Sequence, residues 1–217
     1  MTKHICVINW KGGCGKTTIA THLAAALATS GLETGLADYD RQKTAKFWEK
    51  LRPKDAAKVT IVDWRKDFGK SPPALQRLIV DCPPSLRTKR VRAIIAESNV
   101  AVVPLLPSIF DEMATLQFLW RMEAIKSVRT HKKLVLLVAN RYRTGRAASR
   151  RLEEFLVTEG LLLTARIPER EIYSDLARDG LTVFDVNNKT ALEQQQAWLP
   201  LVRAVEMSWG LHRQPGG

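Results

Sequence analysis

A glycine-rich octapeptide between two periodic segments constrains the fold of this chain more than any other part of it. Residues 11–18 read Lys-Gly-Gly-Cys-Gly-Lys-Thr-Thr. A short apolar run rich in β-branched residues precedes them at 4–9, and residues 17–28 carry alanine and leucine at helical spacing. A strand, a glycine loop and a helix in this order direct backbone N–H groups and the positive end of the helix dipole toward one anion site.

The residue types in the octapeptide match what a phosphate-binding loop needs. Glycines let backbone amides close around phosphate oxygens, a lysine reaches the outer phosphates, and a Ser or Thr hydroxyl binds Mg²⁺. These requirements are met by Gly12, Gly13, Gly15, Lys16 and Thr17. Lys11 stands where the usual pattern begins with glycine. Its ammonium is not needed for the phosphate cradle, so it requires a separate explanation.

Apolar strands alternate with helical segments along the rest of the chain. The hydrophobic pattern predicts strands at 4–9, 34–38, 58–63, 78–81, 100–103, 134–139 and 161–167. It predicts helices at about 17–28, 44–51, 111–128, 146–158 and 189–209, and the sequence Ser71-Pro72-Pro73 indicates a loop and a helix start. Because parallel strands require crossover helices, we predict an α/β fold with a doubly wound, mostly parallel sheet flanked by helices.

Length and composition favour one globular unit. A chain of 217 residues fits a single domain over residues 1–217, without an N-terminal helix-turn-helix domain. No apolar stretch approaches the ~20 residues of a membrane span, and the chain enters a strand at once instead of a secretory leader, so we expect a cytoplasmic protein. Cys6, Cys14 and Cys82 form no CxxC pair, and we predict buried apolar thiols rather than metal ligands or disulfides.

Two acidic positions follow predicted strands, at the edge where such sheets bind ligands. Asp40 lies just past the second strand, and Asp81 ends an apolar strand that precedes a double proline. The second pattern is that of a Walker B motif, whose carboxylate reaches the Mg²⁺ shell beside a phosphate loop.

The net charge of +12 indicates a polyanionic partner such as nucleic acid. The basic residues form two groups. We predict DNA contact for the first group, which is Arg141, Arg143, Arg146, Arg150 and Arg151. Arg143, Arg146 and Arg150 would form one ridge on a helix face, and no acid within the group neutralises them. The second group is Arg87, Lys89, Arg90 and Arg92. The alternative for both groups is a solvated helix face.

Three motifs in this order resemble the ParA/MinD family, the P-loop ATPases with a deviant Walker A motif. They are the octapeptide, the sequence Asp38-Tyr39-Asp40-Arg41-Gln42, where the family has D-x-D-P-Q, and Val80-Asp81-Cys82-Pro83-Pro84. The resemblance covers most of the chain and is closest to the small ParA-type ATPases. Arg41 departs from the family pattern, because it replaces a proline and adds a positive charge beside Asp40.

The resemblance implies a role for each motif residue. Lys11 would reach the nucleotide of a second subunit in an ATP-dependent homodimer and stabilise the departing phosphate charge together with Lys16. Thr17 would bind Mg²⁺, Asp81 would hold the metal through water, and Asp40, rather than Asp38, would position the attacking water. Nucleotide binding is implied for Gly12, Gly13, Cys14, Gly15, Lys16, Thr17, Thr18, Asn140 and Pro168. For Asn140 and Pro168 the implied ligand is adenine, although Asn140 also suits a helix or turn cap.

By the same resemblance, the chain is expected to hydrolyse ATP slowly and with stimulation by a partner. It would bind nucleoid DNA non-specifically in its ATP state and position a plasmid, a chromosomal locus or a protein cargo through an adaptor of the ParB type. Two alternatives stay open. One is a MinD-like, membrane-associated regulator of cell division, although the last predicted helix lacks a cationic face. The other is a metabolic ATP-dependent enzyme on the same fold.

Overall fold

Strands and helices alternate along the chain, as the hydrophobic pattern predicts. The computed structural model describes residues 1–65, 68–130 and 132–208. The strands are β1 (Lys3–Val7), β2 (Thr34–Asp38), β3 (Val59–Val62), β4 (Arg77–Asp81), β5 (Val100–Leu105), β6 (Leu134–Tyr142) and β7 (Leu163–Pro168). The helices are α1 (Lys16–Thr29), α2 (Thr44–Leu51), α3 (Thr88–Glu97), α4 (Ile109–Glu123), α5 (Lys126–Arg129), α6 (Ala147–Thr158), α7 (Ile172–Arg178) and α8 (Lys189–Met207).

The seven strands form one sheet in the order β3-β2-β4-β1-β5-β6-β7, and every pairing is parallel. The predicted doubly wound α/β fold is therefore confirmed. Val7 pairs with Asp81, and Asp81 pairs with Asp38, so the last residues of β1, β4 and β2 lie side by side. This register brings the phosphate loop and both acidic motifs to the centre of the carboxyl edge.

The sheet separates two hydrophobic cores. Along β1, Ile5 and Val7 face one core and Cys6 faces the other, as the two-residue period of a strand requires. The first core lies under α1, α2, α7 and α8, and the second lies under α3, α4 and α6. The thiols of Cys6, Cys14 and Cys82 are all buried and unbridged, as predicted.

Two predicted helices differ from the structure. The helix predicted at 111–128 is divided into α4 and α5, because Ile125 has an extended backbone and packs its side chain against the second core. The helix start predicted at Pro72 is instead a turn, in which the Leu75 N–H donates to the Pro72 carbonyl and the chain enters β4 two residues later. Helices α3 and α7 are not predicted from the sequence.

Helix α8 packs through a different face from the predicted one. The apolar pattern places Leu192, Leu199, Val202, Val205 and Trp209 near one side of the helix, which would pack on the sheet or on a partner subunit. Val205 is buried, but Leu192 is 44% exposed, and Trp209 lies outside the described residues. The buried stripe is Ala191, Gln194, Trp198, Leu201 and Val205. The helix adopts this rotation because the Trp198 ring stacks on the imidazole of His22, with ring centroids 4.3 Å apart.

None of the helices in the described ranges is both long and apolar enough to cross a membrane.

Candidate nucleotide-binding site

The phosphate loop joins β1 to α1 at the centre of the sheet, and two of its glycines adopt backbone conformations that other residues rarely reach. Gly13 has φ of 76° and Gly15 has φ of 93°. A Cβ atom on Gly15 would lie 2.0 Å from the side-chain nitrogen of Asn140. The close approach of Asn140 to the loop therefore requires glycine at this position.

The two lysines of the octapeptide occupy different places. The Lys16 side chain folds over the loop, where its ammonium donates to the backbone carbonyl of Lys11 at 2.7 Å. The residue is buried, with only 7% of its surface exposed. The Lys11 ammonium lies 4.0 Å from a carboxylate oxygen of Asp111 in the first turn of α4, and its side chain is 38% exposed. The Lys11 ammonium thus points toward α4, away from the position that the Lys16 ammonium occupies.

Two asparagines fix the backbone of the loop from opposite sides. The Asn9 side chain accepts the Lys11 N–H at 3.1 Å and donates to the Pro104 carbonyl at 2.8 Å, which ties the start of the loop to the end of β5. The Asn140 side chain donates to the Cys14 carbonyl at 2.9 Å. Both side chains are buried, so these bonds are shielded from water.

Sequence reasoning misses the role of Asn9 and assigns a different one to Asn140. The available signal for Asn9 is its position directly after an apolar strand, where a buried amide must find partners. One N–H of the Asn140 amide donates to the Cys14 carbonyl, and the same side chain also borders the cavity.

Asp81 and Thr17 form the pair expected of a magnesium site. The Thr17 hydroxyl donates to one carboxylate oxygen of Asp81 at 2.7 Å. The other oxygen, Oδ1, is buried and has no hydrogen-bond partner among the described residues. An unpartnered carboxylate oxygen beside a threonine hydroxyl is a donor set that suits a hard divalent cation.

Burial dominates the electrostatics of Asp81. It raises the pKa of this carboxyl from 3.8 to about 7, and the hydrogen bond from Thr17 opposes the rise. The nearby carboxylates of Asp38 and Asp40 raise the pKa further, whereas Lys16 lowers it. The site therefore concentrates negative charge that a bound cation would relieve.

The two acids of the second motif have different surroundings. Asp38 is buried, and its carboxylate accepts the N–H of Lys46 at 2.8 Å and the N–H of Asp40 at 3.1 Å, so it fixes the first turn of α2. Burial raises the pKa of Asp38. The half-buried Asp40 accepts the N–H of Gln42 at 3.0 Å. Arg41 is exposed.

A cavity of about 1050 Å³ extends from the phosphate loop. Thr17 and Thr18 form one end of it, and Asn140 and Pro168, the residues expected at adenine, line it as well. The other walls come from α1, from one side of α2, from α7 and from the carboxyl ends of β6 and β7 with the residues that follow them. Of the nine predicted nucleotide-binding residues, four line this space of ligand size: Thr17, Thr18, Asn140 and Pro168.

The first basic group does not form the predicted single ridge. Helix α6 begins at Ala147, so Arg143 lies in the preceding turn, where it pairs with Glu169. Arg141 and Arg143 line the cavity. The prediction of a shared helical face is therefore wrong for Arg143, and its acidic partner comes from outside the group. All five arginines are exposed.

Arg90 of the second basic group lies over two aromatic rings. Its guanidinium lies 4.5 Å from the ring centre of Phe68 and 5.0 Å from that of Tyr39.

Comparison of the whole chain with known proteins identifies relatives in both sequence and structure. The CobQ/CobB/MinD/ParA nucleotide binding domain matches residues 5–183. Maintenance of carboxysome distribution protein A of Halothiobacillus neapolitanus is 33% identical over 191 residues, which cover 84% of this chain and 87% of that protein.

Solved structures share the fold. Apo McdA of Cyanothece has a TM-score of 0.71 at 16% identity and covers 96% of this chain and 100% of its own. Pyrococcus horikoshii MinD, complexed with Mg-ADP, has a TM-score of 0.67 at 19% identity and covers 99% of this chain and 100% of its own.

The raised pKa of Asp81 predicts a pH-dependent stability. The folded chain holds the Asp81 proton up to about pH 7, whereas the unfolded chain releases it near 3.8, so folding takes up a proton between these values. The free energy of unfolding should therefore fall as the pH rises from about 4 to about 7, by at most about 4 kcal/mol. Asp81→Asn should remove this part of the dependence in urea denaturation at pH 5 and pH 8 without nucleotide.

The exposed Asp55 offers a matched control, because Asp55→Asn removes one charge at the surface. An Asp81→Asn variant with the same pH dependence as the wild type would contradict the prediction.

Proposed function

The chain belongs to the CobQ/CobB/MinD/ParA family of nucleotide-binding domains, and we propose that it is an ATPase of the ParA/MinD type that dimerises with ATP and positions a cargo. The observation that carries the proposal is the Lys11 ammonium, which lies outside its own cradle while Lys16 occupies it. A second lysine placed in this way is available to a nucleotide on another subunit.

Nucleotide binding is proposed to use the loop and the cavity together. The backbone amides of residues 12–16 and the ammonium of Lys16 would hold phosphates, with the Thr18 hydroxyl at the same end of the cavity. Asn140 and Pro168 would border the adenine end. Thr17 and the unpartnered oxygen of Asp81 would hold Mg²⁺, which when bound neutralises phosphate charge.

Asp40 is the proposed residue for positioning the attacking water. Its carboxylate is half-buried and engages one backbone N–H, whereas the Asp38 carboxylate is buried and engages two. Asp40 therefore has more capacity to accept a hydrogen bond from water. Hydrolysis by the isolated chain would be slow, because the lysine of a second subunit would still have to reach the phosphates.

The surface beside Lys11 suits a second copy of the chain. The first turns of α4 carry Asp111, which contacts Lys11, and three exposed apolar side chains: Ile109, Phe110 and Met113. Phe110 is 77% exposed. Apolar side chains grouped next to a functional residue are typical of a protein contact. We therefore place this surface in the proposed dimer.

DNA binding is proposed for the exposed arginines of the first basic group. Arg146, Arg150 and Arg151 lie at the start of α6, and the net charge of +12 draws the chain toward polyanions. Arg141 and Arg143 border the cavity proposed for the nucleotide. We therefore propose that they contact DNA only if the bound nucleotide leaves their side chains exposed.

The proposed cargo is a carboxysome-like protein body, because the relative with 33% identity is a carboxysome distribution protein. An adaptor protein on that body would stimulate hydrolysis and release the dimer from nucleoid DNA. The protein would then act in the cytoplasm, on the nucleoid.

Lys11→Ala and Lys16→Ala should separate dimerisation from nucleotide binding. Lys16→Ala removes the buried ammonium from the cradle and should weaken ATP binding by about 10²-fold in isothermal titration calorimetry. Lys11→Ala should bind ATP like the wild type but remain monomeric in sedimentation with Mg-ATP. Phe110→Glu should also remain monomeric, because it places a charge within the apolar contact.

Lys50→Ala removes an exposed lysine from α2 and serves as the matched control. Equal losses of nucleotide affinity in the Lys11 and Lys16 variants would contradict the separate role of Lys11.

DNA retention should require ATP and fall steeply with salt. Replacing Arg146, Arg150 and Arg151 with alanine should weaken binding to all sequences and reduce the slope of log affinity against log salt by about one for each lost phosphate contact. Filter binding with ATP and with ADP measures both effects. The triple variant Arg87→Ala, Lys89→Ala, Arg92→Ala tests the second basic group. Equal retention with ADP and ATP would rule out nucleotide control.

The cargo can be tested in the organism that makes the protein. Deletion of its gene should leave fluorescently labelled carboxysomes clustered instead of evenly spaced, and the wild-type gene, but not the Lys11→Ala gene, should restore the spacing. Evenly spaced carboxysomes in the deletion strain would disprove the proposed cargo.

A further inference from the structure

The C-terminal end of α2 is fastened to the segment after α7 by a buried ion pair far from the phosphate loop in sequence. The guanidinium of Arg52 donates to both carboxylate oxygens of Asp185, one of them at 3.0 Å. The two side chains are only 4% and 2% exposed. A bidentate pair shielded from water fixes both distance and orientation.

Further contacts hold Arg52 to the loop after α2 and join the end of α2 to the segment after α7. Its Nε donates to the Ala57 carbonyl at 2.8 Å and its Nη1 donates to the Gly180 carbonyl at 3.1 Å. The indole N–H of Trp48 donates to the Leu181 carbonyl at 3.4 Å. We call Arg52, Asp185 and Trp48 the α2–α7 clamp.

Backbone packing at the clamp leaves little freedom. Gly180 has φ of 68°, and a Cβ atom on it would lie 2.3 Å from the backbone nitrogen of Arg52. Asp185 also accepts the N–H and the hydroxyl of Thr182, both at 2.8 Å. The segment after α7 is thus a closed turn held directly against the end of α2.

The clamp lies where the two helices that border the cavity meet. One side of α2 supplies Thr44, Phe47, Trp48 and Leu51 to the cavity wall, and α7 supplies Tyr173, Ser174, Ala177 and Arg178. Thr17 and Thr18 are at the phosphate end, so a nucleotide bound there would extend its ribose and base toward the space between these helices.

The other end of α2 is also anchored, because the Asp38 carboxylate accepts the N–H of Lys46. Helix α2 is therefore held at both ends, and its C-terminal anchor determines the distance to α7.

We propose that Arg52 and Asp185 are positioning residues that set the gap between α2 and α7 and thereby the affinity for the nucleoside part of the ligand. They contact neither phosphate loop nor phosphate. This inference rests on the nucleotide site proposed above. It goes beyond that site because it assigns nucleoside affinity to an ion pair outside the residues of the family motifs.

The test compares ATP with inorganic tripolyphosphate, which shares the phosphates but has no nucleoside. Arg52→Lys keeps the positive charge but loses the bidentate geometry. It should weaken ATP binding about tenfold and raise the KM for ATP more than it lowers kcat. Tripolyphosphate, measured in the presence of Mg²⁺ by competition with a fluorescent ATP analogue of known affinity for each variant, should keep its wild-type affinity.

Two further variants distinguish a change in nucleoside affinity from a loss of folding. The double variant Arg52→Gln, Asp185→Asn leaves no unpaired charge in the buried site and should show the same selective loss. Arg77→Lys changes a second, partly buried ion pair, with Glu206, at the amino end of β4, and should alter the affinity for neither ligand. Circular dichroism at the assay temperature checks that each variant is folded.

Every outcome bears on the proposal. Selective loss of ATP affinity supports it. Equal loss for ATP and tripolyphosphate, or unchanged ATP affinity in both clamp variants, would overturn it. A wild-type chain that binds neither ligand would instead disprove the nucleotide site itself, so the two failures are distinguishable.

Discussion

Two buried side-chain amides hold the phosphate loop in shape, and the rest of the site depends on them. A loop whose amides converge on an anion must satisfy its remaining polar groups elsewhere. Asn9 binds the Lys11 N–H on one side, and Asn140 binds the Cys14 carbonyl on the other. Because Asn9 also reaches the end of β5 and Asn140 belongs to β6, the loop is fixed to the half of the sheet that lies opposite the acidic motifs.

Without a bound cation, the surroundings of Asp81 disfavour the charged form of its carboxyl group. Asp81 is buried beside Asp38 and Asp40, with one oxygen that lacks a hydrogen bond in the described structure. A protein optimised for stability alone would pair or remove such a group. The Asp111 carboxylate has a similar unpartnered oxygen next to Lys11. An unpartnered buried carboxylate oxygen costs folding free energy at each of these two positions.

The sequence predicts the sheet and the strand–loop–helix order around the glycine loop, because each follows from short-range patterns: apolar runs, and glycines between a strand and a helix. It predicts other features poorly because they depend on packing between distant segments. The rotation of α8 is decided by the stack of Trp198 on His22, not by its own apolar periodicity. Likewise, Arg143 follows β6 and pairs with Glu169, which follows the neighbouring strand β7. The local charge pattern around Arg143 cannot show this partner.

The central position of β1 affects how the chain acquires its site during synthesis. Its neighbours are β4 and β5, so its first pairings join residues more than seventy positions apart in the chain, such as Lys3 with Arg77. Non-local pairings of this kind form slowly, because the loop between them must close first. The Cys14 carbonyl can accept its hydrogen bond only after Asn140 has been synthesised, and Arg52 at the end of α2 can form its ion pair only after Asp185 has been synthesised. A nascent chain emerging from the ribosome therefore carries its nucleotide motif from the start but completes the surrounding pocket only near the end of translation.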